Sequence, residues 1–343
     1  GCTLKELVDE VNGMGLMFGL WFEPEMISED SDLYRSHPDW AMVVPDRKPI
    51  RSRSQLVLDM SREDVKAYIK ERLFAILDSA NIQYVKWDMN RSVAAAYSAM
   101  LPRERQGELR HRYVLGLYEV MEAMLERYPD LLLEGCSGGG GRYDAGMLYY
   151  APQIWCSDNT DAIERLSIQY GTSFGYPMSS LSAHVSVCPN HQNGRVTPFK
   201  TRGICAMQGT FGYELDLSKM TEEEKEEARE QVRTFKERYR LFQFGDYYRI
   251  TSPLENRDFT AWEYADKDGK EAYLGVVYTD LHGNPSAQSV KFRGLRPEGV
   301  YSIWKNNEPS GSYTGAALMN SGVLLPVPVE NYDSCQIYVC LEG

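Results

Sequence analysis

The sequence predicts an α/β fold of the (β/α)8 barrel type, its first strands lying upstream of residue 1, followed by a C-terminal antiparallel β-sandwich domain. Three observations predict it. Over residues 1–245, short apolar runs alternate with amphipathic helical segments, and strands alternating with helices imply right-handed βαβ units in a parallel sheet. Two of the runs, Tyr84-Val-Lys-Trp-Asp-Met-Asn-Arg91 and Ile154-Trp-Cys-Ser-Asp-Asn-Thr-Asp161, end in a carboxylate, and the C-terminal strand ends are where a parallel barrel presents its chemistry. From residue 246 to 343 the helical rhythm gives way to β-type sequence with turn signals.

Residues 4–11 read as an amphipathic helix with Leu4, Leu7, Val8 and Val11 on one face, ended by Gly13 and Gly15. Leu16–Phe22 is continuously apolar and predicts a strand buried on both faces. Ser61 with Asp64 resembles a capping box opening a helix whose core face is Val65, Tyr68, Ile69, Leu73, Ile76 and Leu77. Ile82–Trp87 is the next strand, 106–127 the next helix, Leu131–Glu134 the next strand. Ile154–Cys156 is a short strand before a helix over Thr160–Gln169. Met178–His184 and Ile204–Gln208 complete six strands. Thr221–Phe242 is a charged amphipathic helix with Glu224 three residues after its cap. Beyond 246, Ala272–Tyr278, Val290–Arg293, Tyr301–Trp304 and Cys335–Leu341 show β propensity, with Asp268-Gly269 and His282-Gly283-Asn284-Pro285 as turns.

A barrel needs eight strands, and this chain opens on a helix that should follow a strand. The expectation is therefore that the first strands lie upstream. An open doubly wound sheet is the alternative for the same rhythm.

The chain has 343 residues, enough for a large core or two domains. Its net charge of −12 argues against nucleic acid or an anionic membrane as the main partner. Seven cysteines without Cys-x-x-Cys spacing fit reduced thiols, hence a cytoplasmic location, better than a disulfide framework. Five dispersed His residues give no metal-ligand spacing. No apolar run reaches membrane-spanning length. The chain begins Gly1-Cys2 rather than with Met, so the lack of a signal peptide excludes nothing.

In a strand, residues i and i+2 point the same way, so Lys86, Asp88 and Asn90 converge at one strand mouth. A carboxylate beside an ammonium stays ionised, which suits Asp88 to a nucleophile's role; a structural Lys–Asp pair is the plainer reading. Asp158 and Asp161 both precede a helix, and local pattern leaves open which is an N-cap and which is chemical. Two carboxylates on different strand ends suggest the pair that glycoside hydrolysis requires. Glu134-Gly-Cys-Ser-Gly-Gly-Gly-Gly-Arg142 lets backbone approach a ligand closely but lacks the Gly-Lys-Ser/Thr of a phosphate loop. Trp21 reads as a sugar-stacking face or as core. Glu23 and Glu25, around Pro24, add carboxylates to the same rim, and Arg53 lies in a loop before a helix.

Gly19–Met26, Lys86–Asn90, Cys136–Asp144 and Trp155–Arg165 together resemble bacterial α-galactosidases of glycoside hydrolase family 36. The resemblance covers essentially the whole chain. It implies a (β/α)8 catalytic barrel over 1–245 and a β-sandwich over 246–343. It also implies that this is a fragment of a longer protein, since the family's N-terminal β-sandwich and first barrel strands, with a Trp and an Asp-Asp pair that reach the galactose hydroxyls, have no counterpart here. Residue by residue, Asp88 resembles the nucleophile and Asp158 the general acid/base. Trp21, Arg53, Lys86, Asn90, Cys136, Gly138 and Gly139 resemble residues lining the galactose pocket. The implied reaction is retaining hydrolysis of small α-galactosides of the melibiose or raffinose type, with the two carboxyls about 5–7 Å apart. In it, Lys86 keeps Asp88 ionised and the charge of Asp88 helps keep Asp158 protonated. The implied chemistry needs no cofactor and no metal, and the full-length protein is implied to be a homo-tetramer. A related α-N-acetylgalactosaminidase, an α-galactosyltransferase and a non-catalytic carbohydrate-binding fragment remain as alternatives.

Overall fold

The computed structural model describes residues 1–281, 283–284 and 286–343. It divides into two compact units, Gly1–Trp155 and Cys156–Gly343.

The first unit holds four parallel strands: β1 (Gly19–Phe22), β2 (Tyr84–Trp87), β3 (Leu132–Gly135) and β4 (Gln153–Trp155). Trp21 lies level with Lys86, Lys86 with Glu134, and Glu134 with Gln153. Side-chain alternation then divides the sheet. One face carries Trp21, Tyr84, Lys86, Glu134, Gln153 and Trp155. The other carries Val85, Trp87, Leu133 and Ile154, all buried against the helices. Helix Glu63–Leu77 contributes Val65, Ile69, Leu73 and Leu77, and helix Leu109–Arg127 contributes Leu117, Val120, Met121 and Met124. The latter helix packs so closely on the chain before it that a Cβ at Gly116 would lie 1.8 Å from the Met60 carbonyl oxygen.

Several expectations are corrected here. The first strand is only Gly19–Phe22, and it is not buried on both faces, since Leu16, Met17 and Trp21 are exposed. Ser61 does not cap helix Glu63–Leu77. Its hydroxyl donates to Asp59, Arg62 is the cap residue, and Asp64 pairs with Arg62. The reason is competition: Asp59 lies two residues away and offers Ser61 a nearer acceptor. Glu25 leaves the rim altogether. It is fully buried, accepting from Trp87 Nε1 at 2.7 Å and Tyr113 Oη at 2.5 Å, and pairing with Arg142 Nη1 at 2.9 Å. A buried carboxylate needs such partners, and this one joins the loop after β1 to β2, a helix and the glycine-rich turn.

The second unit opens with helix Ala162–Thr172 and two parallel strands, β5 (Leu181–Ser186) and β6 (Thr210–Glu214). Ile204–Gln208, expected as a strand, is not one. Ile204–Ala206 close helix Phe199–Ala206, and Met207 and Gln208 follow it. From Thr201 to Ala206 every residue of that helix is buried. A short run buried on all sides carries no period that separates helix from strand. Thr221 and Glu224 do form the expected capping box, but the helix ends at Glu237, and Tyr239–Phe244 forms a separate one.

Behind them lies an antiparallel sheet of six strands in the order Glu308–Thr314, Val300–Lys305, Ser334–Leu341, Glu271–Tyr278, Phe259–Ala265, Asp246–Arg249. Three of these, 308–314, 259–265 and 246–249, escaped the sequence reading. Phe259–Ala265 is buried throughout and so shows no alternation. Val290–Arg293 shortens to Ser289–Val290, paired with Val323–Leu324. Gly269 adopts a φ of +65° in the Asp268-Gly269 turn, where glycine is required. In the second expected turn, His282 and Pro285 lie outside the described residues. Among the described residues, no helix is long and apolar enough to cross a membrane.

Candidate active site

Asp88 follows the last residue of β2, and its side chain is buried. Four donors converge on the carboxylate. Trp21 Nε1 reaches Oδ2 at 3.1 Å, Asn90 Nδ2 reaches Oδ2 at 2.7 Å, the Met89 backbone N–H reaches Oδ1 at 2.8 Å, and the Cys136 thiol donates as well. They come from three strand ends, which parallel pairing sets side by side. Burial pushes the Asp88 pKa up, but the hydrogen bonds from Asn90, Cys136, Trp21 and Met89 together outweigh it and hold the carboxyl below its usual range.

The ammonium of Lys86 is not what does this. Lys86 Nζ lies 3.3 Å from Glu134 and 4.9 Å from the centre of the Trp155 ring. Glu134 also accepts from Gln153 Nε2 at 2.9 Å and from the Tyr84 hydroxyl. Lys86 therefore belongs to a polar layer one step below Asp88. The expectation that it pairs with Asp88 is corrected, and the physical reason is register: Glu134 sits directly across from Lys86. Glu134 was read only as a strand end. Its same-face alternation with Cys136 was the signal that could have singled it out.

Trp21 is half exposed. A core role is excluded, and the indole N–H already donates to the Asp88 carboxylate. Asn90 also donates to Glu23 at 2.6 Å, and Arg53 Nη1 pairs with the same Glu23 oxygen at 2.9 Å. Arg53 is thereby brought to the rim through Glu23. Its φ of +53° is a left-handed conformation unusual for arginine.

The glycine-rich turn is sewn to this loop. Cys136 N–H donates to Trp87 O at 2.7 Å, Met89 N–H to Cys136 O at 3.1 Å, and Ser137 Oγ to Met89 O at 2.9 Å. Gly138 and Gly139 have φ of +55° and +80°, which glycine alone adopts without strain. Burial, with the Asp88 charge as the next cause, pushes the Cys136 thiol up to about 12. It is therefore a hydrogen-bond donor at neutral pH, not a thiolate.

In the second unit, Asp158 and Asp161 separate clearly. Asp161 is buried, caps helix Ala162–Thr172 through the N–H groups of Ile163 and Glu164 at 3.0 and 2.8 Å, and pairs with Arg195. Asp158 is exposed, in a stretch without regular secondary structure. Asp161 thus takes the capping role, and Asp158 is the exposed one of the two.

The Melibiase family model matches residues 1–245, and the glycosyl hydrolase family 36 C-terminal domain matches residues 259–339. The bifunctional alpha-galactosidase/sucrose kinase AgaSK of Mediterraneibacter gnavus is 51% identical over 337 residues, 98% of this chain and 35% of that protein. Alpha-galactosidase AgaA of Geobacillus stearothermophilus is 52% identical over 323 residues, 94% of this chain and 44% of that protein. The crystal structure of AgaA superposes with a TM-score of 0.95 at 50% identity, covering 99% of this chain and 46% of that one. AgaA variants have also been solved with raffinose and with stachyose. The chain spans less than half the length of these relatives.

Proposed function

Because the chain belongs to the melibiases of glycosyl hydrolase family 36, we propose that it carries the catalytic carboxylates of a retaining α-galactosidase acting on small α-galactosides. The observation that carries the reading is the convergence on Asp88: a buried carboxylate held ionised by four donors at a strand end, beneath a half-exposed indole. That is the state a carboxylate nucleophile needs.

The mechanism follows. Asp88 attacks the anomeric carbon while Asp158 protonates the departing oxygen. The galactosyl ester on Asp88 forms through an oxocarbenium-like transition state, and Asp158 then takes a proton from the water that releases it, so the α configuration is retained. As the ester forms, Asp88 loses its charge, and its four hydrogen bonds weaken. In the second step it departs as a carboxylate again, and the same donors stabilise it as a leaving group. Trp21 offers its half-exposed indole to the sugar, Arg53 and Asn90 meet at Glu23 on the rim, and the Gly138-Gly139 turn brings backbone close to the pocket. Residues 1–245 form the catalytic barrel portion and 246–343 the β domain in this reading. Free thiols at all seven cysteines support a cytoplasmic setting, and the working form is a homo-tetramer of the full-length protein. Raffinose and stachyose, bound by AgaA variants, support small α-galactosides as the substrate class.

The test is hydrolysis of 4-nitrophenyl α-galactoside against its N-acetyl-α-galactosaminide counterpart by the full natural chain, with the anomer of the first-formed galactose followed by NMR. Cleavage of the first with α-galactose as the initial product is expected. Preference for the N-acetyl substrate, or β-galactose appearing first, would overturn the reading. The hydrogen bonding at Asp88 adds a pH prediction. Asn90→Ala removes one of the donors that hold the carboxyl low, so the acidic limb of kcat/KM should move to higher pH. A limb that stays in place would mean that another group sets it.

A further inference from the structure

The backbone around Asp158 is gripped by a distant loop. Gln192 lies 34 residues further along, and its carboxamide makes two bonds at once. Nε2 donates to Asp158 O at 2.9 Å, and Oε1 accepts from Thr160 N–H at 3.0 Å. A side-chain amide that reads one carbonyl and an N–H two residues on does what a neighbouring strand would do. The surrounding loop is braced for it. Asn190, itself buried, donates to Thr160 Oγ1 at 3.0 Å and accepts from Gln192 N–H at 2.9 Å. Arg195 closes the other side on Asp161.

We propose that Gln192 is a positioning residue for the acid/base carboxyl of Asp158. The inference rests on the reading above. Residues 156–160 carry no helix or strand of their own, so the backbone that aims the Asp158 side chain is fixed by the Gln192 amide on both sides of Asn159. Proton transfer to a departing oxygen depends on heavy-atom placement at hydrogen-bond range, and a displacement of about 1 Å can cost roughly 100-fold. Gln192 is exposed, so its replacement spares the core.

The experiment compares Gln192→Ala with Asp158→Ala and with Val196→Ala, an exposed neighbour in the same loop, in the full natural chain. Each is assayed for kcat/KM on raffinose, whose leaving group needs protonation, and on 4-nitrophenyl α-galactoside, whose leaving group needs it far less. Gln192→Ala is expected to lose about 10- to 100-fold on raffinose and no more than about threefold on the aryl substrate, with Val196→Ala unchanged on both. An equal loss on both substrates, or none on raffinose, would overturn the inference. If Asp158→Ala itself shows no such split, the acid/base assignment fails instead. Amide exchange gives an independent readout that needs no turnover. The Thr160 N–H should exchange faster in Gln192→Ala, and unchanged protection would mean that the amide does not hold this backbone.

Discussion

Replacing Asp88 with alanine in the full natural chain is expected to lower kcat/KM for raffinose by roughly 10⁴- to 10⁶-fold, the range seen when a covalent nucleophile is removed. Added azide then discriminates between the two aspartates. With Asp88 gone, azide enters the vacated space and attacks the substrate directly, so the product is the β-galactosyl azide. With Asp158 replaced instead, Asp88 still forms its ester on the β face, and azide displaces it to give the α-galactosyl azide. The two anomers are separable by NMR. An α-azide from the Asp88 variant would reverse the roles assigned here, and undiminished turnover would remove Asp88 from the chemistry altogether.

The second large effect is on stability. Glu25→Ala leaves the partly buried Arg142 without its carboxylate, while Trp87 Nε1 and Tyr113 Oη lose their acceptor. Two further Arg142 nitrogens, Nε and Nη2, already have no hydrogen-bond partner among the described residues. Breaking one side of a buried pair costs about 3–5 kcal/mol, which corresponds to a fall of roughly 10 °C in the unfolding midpoint. Thermal unfolding followed by near-UV circular dichroism measures it, since Trp87 and Tyr113 report locally. Glu25→Gln keeps acceptors for the indole and the phenol and should lose less. A shift under about 2 °C for Glu25→Ala would mean that Arg142 finds water or another partner.

The strand ends were legible because Asp88 and Asp158 each follow a short apolar run, and that signal is local. The cap at Thr221 and the last strand, Ser334–Leu341, were legible for the same reason. What failed was decided by partners far along the chain. Lys86 was assigned to its sequence neighbour Asp88, but strand register gives it to Glu134, 48 residues away. Glu25 looked like one more carboxylate on a rim, and only the fold shows Arg142 and Tyr113 waiting beneath it. Ile204–Ala206 looked like a strand because burial on every side erases periodicity. Gln192 sits in a polar loop with no pattern at all, and its two bonds to the Asp158 region become visible only once both loops are placed. The choice between Asp158 and Asp161, open on local pattern, was supported by geometry, because a cap must bury its oxygen against the helix N-terminus and Asp161 does so.

The donors around Asp88 come from β1, from the loop after β2, and from the residue after β3. In an unfolded chain those segments are apart, and the carboxyl titrates near its ordinary value of about 3.9. Assembly lowers it, so by linkage the ionised carboxylate favours the assembled strands. That contribution is present above the unfolded value and drains away as the pH falls through the lower, folded one. The charge that is to attack a sugar is thus also a clasp on the sheet, and acid should loosen the first unit at the site where its chemistry is done.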